Sequence, residues 1–162
     1  AGVGVAPTWE TGVAMTSVNT VESTGDLCIT SATFATYPGC SLVLSLTAGQ
    51  RVVAFGQAAA MTDDDCDGTS DVGVVWVDAR IAVDGADFTN GAYTRISLDN
   101  LASYIMVSPL SVVGEYTAAT TTSYTFEFQA RRMGGGAGDN AISGGGNTSS
   151  LQATMILIVY NP

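Results

Sequence analysis

The chain is expected to fold as an all-β sandwich, and three observations carry that expectation. Apolar runs of four to eight residues, rich in Val, Ile, Thr, Tyr and Phe, recur between clusters of Gly, Asp, Asn, Ser and Pro. No segment sustains an i, i+3, i+4, i+7 apolar stripe over three turns, so helices are not expected. A chain of 162 residues with 46% hydrophobic content supplies one core, because a single domain of this size buries roughly 70% of the surface its unfolded form exposes.

Taken in order, strands are expected at 12–18, 27–34, 41–46, 51–60, 72–81, 94–98, 103–107, 112–116, 123–132 and 151–160. Residues 1–20 read either as an attachment arm, with Val5 and Trp9 as the attaching side chains, or as the first strand; residues 21–162 form the sandwich. The segments SLVLSL and RVVAFGQAAA are separated by Thr47-Ala48-Gly49-Gln50, a turn signal, and the alanine run at 58–60 is too short to be a helix. After VVWVDARIAV, Asp84-Gly85 is a strong hairpin signal, since Gly supplies the positive φ of a primed turn. In SYTFEFQARR, Tyr124, Phe126, Phe128 and Ala130 alternate with Thr125, Glu127, Gln129 and Arg131, the pattern of a strand with one wet face. Between that strand and the last lies a stretch, 134–146, with seven glycines in thirteen residues, expected as a loop that is mobile or held from outside the domain.

The closing strand differs from the others. Met155, Leu157 and Val159 alternate with Ile156, Ile158 and Tyr160, so both faces are apolar. One face lies on the core; the other needs cover, from a loop of the same chain or from another copy.

Charge narrows the classes of function. Fifteen carboxylates face five arginines, with no Lys or His, for a net charge of −10. Nucleic acid is not an expected partner, because phosphate binding needs a basic face. Without histidine, a Ser-His-Asp triad and a His-based zinc site are excluded. No window reaches the eighteen apolar residues of a membrane helix, and AGVGVAPTWE carries neither a basic nor an apolar leader region, so no membrane partner is expected. Asp78, Asp84 and Glu127 are the carboxylates available to a glycosidase, yet their spacing singles out no pair, so the chain is not expected to be an enzyme. Cys28, Cys40 and Cys66 make an odd count: one pair at most, such as Cys28 with Cys40, or buried thiols in strands.

The most specific local motif is MTDDDCDGTSD. It sets Asp63, Asp65, Asp67 and Asp71 at DxDxDGxxD spacing around Gly68, and with the Thr69 carbonyl these offer the hard oxygen ligands that calcium takes. Val74 stands where a helix–loop–helix calcium site carries its bidentate Glu, so weak binding is expected. A solvated acidic hairpin tip is the alternative.

About eight to ten short antiparallel strands imply two packed sheets with Greek-key or jelly-roll connections. The order of SATFATYPGCSLVLSLTAGQRVVAFGQA, VVWVDARIAVDG, SYTFEFQARR and QATMILIVYNP resembles the small jelly rolls of the tumour-necrosis-factor and complement globular-head type, which recur in phage capsid decorations, fibre tips and spore-surface proteins. The resemblance implies a homotrimer whose closing strand, Met155, Ile156, Leu157, Ile158, Val159 and Tyr160, runs near the threefold axis. It also implies a place on a virion surface or outside the cell, beside neighbouring capsid or fibre subunits, and no catalytic residue. The expected function is therefore a structural, particle-decorating jelly roll. The alternative is a calcium-assisted receptor- or glycan-binding module using the acidic loop and aromatics such as Trp76, Tyr93 or Tyr104.

Overall fold

A computed structural model describes residues 14–63, 65–67, 71–88, 90–100, 107–136, 139–145 and 151–161. Its strands are β1 (Met15–Glu22), β2 (Gly25–Ile29), β3 (Ala35–Leu46), β4 (Arg51–Thr62), β5 (Gly73–Val83), β6 (Ala86–Asp87), β7 (Asn90–Gly91), β8 (Tyr93–Asn100), β9 (Ser108–Thr117), β10 (Thr122–Gly135), β11 (Ala141–Gly145) and β12 (Thr154–Tyr160). All pairings are antiparallel and no helix occurs among the described residues, as the period-2 alternation predicts. Asp84 and Gly85 both have positive φ, 49° and 78°, which is the primed turn that the Asp-Gly pair announces.

The strands form a seven-stranded and a five-stranded sheet. In the first, β4 pairs with β9 along one edge, and along the other with β12 near its start and β11 near its end; β1 continues beyond β12, and β2 beyond β11. In the second, β3, β10 and β5 lie side by side, with β8 and β6 on the far edge of β5. Residues 15–18 of the strand expected at 12–18 belong to β1. Val5 and Trp9 lie outside the described residues, as do 101–106 and with them most of the strand expected at 103–107.

The core sits between the sheets. From β4 come Val52, Ala54, Gly56, Ala58 and Ala60, a stripe of small side chains; from the facing sheet come Tyr37, Tyr124, Phe126 and Phe128, all buried. Small faces large because the two layers must interdigitate at crystal-like density. Tyr37 and Phe128 meet at 4.7 Å between ring centroids, and Tyr116 packs edge-on against Tyr124 and Phe126.

The glycine-rich stretch is corrected by the structure. Its later part, Ala141–Gly145, forms β11, hydrogen-bonded between β2 and β4 and so held from within the domain. The Ser143 hydroxyl donates to the Ala59 carbonyl at 2.7 Å and so accepts from the Tyr37 hydroxyl at 2.9 Å. Burial pushes the Tyr37 phenol well above its ordinary pKa, keeping it a donor. Asp139 accepts from the Val74 and Gly136 amides at 2.8 and 3.1 Å, tying the stretch to β5.

Gly56 has no room for a side chain: a Cβ there would stand 2.6 Å from Val112 Cγ2 of the neighbouring strand and 2.9 Å from Phe128 Cε2 of the facing sheet. Ala would normally strengthen a strand interior relative to Gly, but here overpacking reverses the sign. Gly56→Ala is expected to lower stability by about 1–3 kcal/mol in urea unfolding.

Candidate functional site

The register assigns the outer face of the seven-stranded sheet row by row. Val18, Ile158, Val53 and Glu115 lie side by side in one row, and Thr20, Ile156, Phe55 and Val113 in the next. Met15, Tyr160, Arg51 and Thr117 flank them on one side; Glu22, Thr154, Gln57 and Ser111 flank them on the other. The centre is thus apolar and the rim largely polar, with Arg51 paired to Glu115. Val18 and Val113 are 52% and 56% exposed; Ile156, Ile158, Val53 and Phe55 are half-buried by their neighbours in the sheet. Of the six closing-strand residues expected at an interface, Met155, Leu157 and Val159 are core residues, because alternate side chains of β12 point inward. Ile156, Ile158 and Tyr160 remain on the outer face. At the far end Leu151, shortly before β12, packs with Ile142 and Met61.

The acidic loop follows β4. Carboxylate oxygens of Asp63, Asp65 and Asp71 lie within 4.8 Å of one another, a spread one calcium ion can span with its usual bonds of about 2.4 Å. Asp63 is buried; the Asp67 amide donates to Asp63 and Asp65 at 3.2 and 3.3 Å. Asp67 is not part of the close carboxylate group, and Thr69 lies outside the described residues. Thr62 Oγ1 and Asn100 Nδ2 donate to the Asp71 carbonyl at 2.5 and 2.8 Å, fixing the base of the loop.

A disulfide clamps the loop to β2. It joins Cys28 to Cys66, whose Cα atoms are 5.8 Å apart, and leaves Cys40 as a buried thiol. Neither a Cys28–Cys40 bridge nor three free thiols occurs. The cause is β11: inserted between β2 and the end of β4, it brings Cys28 beside the loop, while Cys40 faces the core. Burial, aided by the negative charge of Glu22, pushes the Cys40 thiol up to about 11. Closing 38 residues of chain stabilises the fold by about 4 kcal/mol on a loop-entropy basis.

Sequence reasoning missed a third cluster, on the outer face of the five-stranded sheet. Asp78 lies between Arg95 on β8 and Arg131 on β10, and is wholly buried beneath them. Arg95 donates through Nε and Nη2 at 2.5 and 3.0 Å, Arg131 through the same atoms at 3.2 and 3.1 Å, and the Tyr93 hydroxyl donates as well. Arg80 and Arg131 both lie over the Phe34 ring, at 4.0 and 4.3 Å from its centroid. The only sequence signal was Asp within an apolar strand, its partners being 17 and 53 residues away. Glu127 stands opposite Ala82, four residues along β5 from Asp78, roughly 13 Å by strand rise and too far for a carboxylate pair about 5–9.5 Å apart. Asp84 instead accepts from the Thr125 amide at 2.8 Å.

The chain matches no family profile and no curated protein.

Burial alone would raise the Asp78 pKa, but hydrogen bonds from Arg95, Tyr93 and Arg131 outweigh it and hold the carboxyl below its ordinary value of 3.8. A carboxylate depressed on folding adds stability above its unfolded pKa and loses it as pH falls through the folded one. Melts across the acid range should therefore fall below about pH 4 more steeply in the wild type than in Asp78→Asn. At neutral pH that variant should be less stable by about 1–3 kcal/mol.

Proposed function

We propose that the protein is a non-enzymatic structural subunit of a virus-particle surface, a jelly roll that trimerises through its seven-stranded sheet and decorates a phage head or fibre. The observation that carries this reading is the apolar centre of that sheet, built by Val18, Val53, Phe55, Val113, Ile156 and Ile158 inside a polar rim, over which no other described strand packs. Apolar centre and polar rim are the anatomy of a protein interface. Electrostatics favour a second copy as the occupant. Copies of a chain with charge −10 repel, and among the described residues the area spanned by β1, β12, β4 and β9 carries Glu22 and Glu115 against Arg51, with Asp26 farther off on β2, so it is where copies approach at least expense.

The winding is supported by strand order. Numbered in sequence, the eight strands of seven residues or more pair first with eighth, second with seventh, third with sixth and fourth with fifth. That is one long antiparallel ribbon; rolling it sets eighth beside third and seventh beside fourth, as β12 lies beside β4 and β10 beside β5. The disulfide supports an oxidising location outside the cytosol. Threefold symmetry and particle placement rest on the resemblance to trimeric jelly rolls, and the residues before β1, with Val5 and Trp9, are then those that engage a neighbouring capsid or fibre subunit.

Sedimentation equilibrium tests this. The wild type is expected to be a trimer at micromolar concentration and to bind emptied phage heads or fibres. Val18→Glu and Ile158→Glu should weaken association by about 30-fold or more with an unchanged circular-dichroism spectrum. A wild-type monomer at all concentrations, without affinity for particles, overturns the proposal.

A second reading, a calcium-assisted receptor- or glycan-binding module, is favoured by the convergence of Asp63, Asp65 and Asp71. Calcium at a hundredfold excess over Kd should raise the melting temperature by about 5–10 °C. The shift should vanish in Asp65→Asn, and an unchanged wild-type melt rules calcium out.

A further inference from the structure

The outer face of the five-stranded sheet is the opposite of the apolar one. In a strongly acidic chain with five arginines, three of them, Arg80, Arg95 and Arg131, are gathered there. Arg80 is consumed within the fold: Nε donates to Gln129 at 2.8 Å, Nη1 to Asp87 at 2.5 Å and Nη2 to the Gly85 carbonyl at 3.2 Å. Arg95 and Arg131 are not. Both turn their Nε and Nη2 edges to Asp78, and neither Nη1 group takes part. One buried carboxylate beneath two guanidinium groups leaves a single positive charge, held in place by Asp78 and the Tyr93 hydroxyl. Such a rigid, partly exposed pair of planar donors matches a carboxylate.

Beside the pair, two residues along β5 and so about 7 Å away, stands Trp76. Its cross-strand neighbours are Ser97 and Gly134, both small, and it is 49% exposed although it sits mid-strand. A Cβ on Gly134 would lie 3.0 Å from Trp76 Cε3, so the six-membered ring of the indole packs against bare backbone while half of the side chain stays exposed. A half-exposed indole suits the apolar face of a sugar ring, with the polar handle left to hydrogen-bond. Nucleic acid, with a charge about every 1.7 Å, is strongly repelled by the rest of the molecule; a saccharide carrying one carboxylate among neutral sugars is repelled far less.

We propose that Arg95, Arg131 and Trp76 form a binding site for a saccharide bearing a carboxylated sugar, with the carboxylate on the two arginines and a sugar ring on the indole. Asp78 and Tyr93 are positioning residues. The site lies on the other sheet from the apolar face and is built without the acidic loop, so it stands apart from both trimerisation and calcium.

Binding is measured in excess EDTA by isothermal titration and by fluorescence of a Trp9→Phe protein, in which Trp76 is the remaining tryptophan. Probes are sialyllactose and a glucuronate-terminated oligosaccharide, each against its neutral analogue. An acidic probe should bind and quench Trp76, and its neutral analogue should bind at least about 10-fold more weakly. Arg95→Ala should weaken binding by about 10- to 100-fold. Trp76→Ala should weaken it too, with sedimentation and melting unchanged. Because both side chains are exposed, loss of binding in a folded variant counts for the site. Equal affinity for neutral and acidic probes, no binding of any acidic probe, or unchanged binding in both variants overturns the proposal; binding abolished by EDTA returns the activity to the calcium-assisted reading.

Discussion

The fit between the small inner stripe of β4 and the aromatic side chains opposite sets the distance between the two sheets, and the rest of the molecule depends on that distance. Val52, Ala54, Gly56, Ala58 and Ala60 leave room that Tyr37, Phe126 and Phe128 fill. Because β4 is paired on both edges, with β9 on one and β12 and β11 on the other, its register propagates across the seven-stranded sheet. Holding the inner face in place holds the outer one too, since a one-residue slip would turn every side chain of a strand over.

The consequence is a sandwich with two unlike outer surfaces. One is apolar at its centre, with its charged side chains at the margins. The other carries arginines ordered by a carboxylate beneath them and an indole laid on a glycine. Burying Asp78 is tolerable only because two guanidinium groups and a phenol satisfy it. The arginines are in turn kept from sampling the rotamers open to an exposed side chain, which lowers the entropy lost when they meet a ligand. The acidic loop completes the molecule as a separate region, clamped by its disulfide and by hydrogen bonds from Thr62 and Asn100.

Several features were legible in the residues alone because their signals are local. Alternation marked β10 and β12, the Asp-Gly pair marked the turn after β5, and the DxDxD spacing marked the acidic loop. What was not legible depended on non-local pairing. Ala141-Ile142-Ser143 has little strand propensity among so many glycines; it is a strand because β2 and β4 supply partners on both edges. The bridge from Cys28 to Cys66 follows from that insertion, and no spacing rule among three cysteines distinguishes it. Asp78 read as an isolated acid because its partners lie on two other strands, and the same remoteness hid the setting of Trp76.

By itself, then, the sequence determined the all-β class, the alternation that sends Met155, Leu157 and Val159 one way and Ile156, Ile158 and Tyr160 the other, and the crowding of carboxylates into one loop. These are properties of single strands and turns, written in a period of two and in residues that tolerate positive φ. Tertiary structure decided which strands adjoin, which cysteine meets which, and which charges share a face. Those outcomes depend on the packing of β4 against β10 and on the pairing of segments far apart in the chain, which no local pattern encodes.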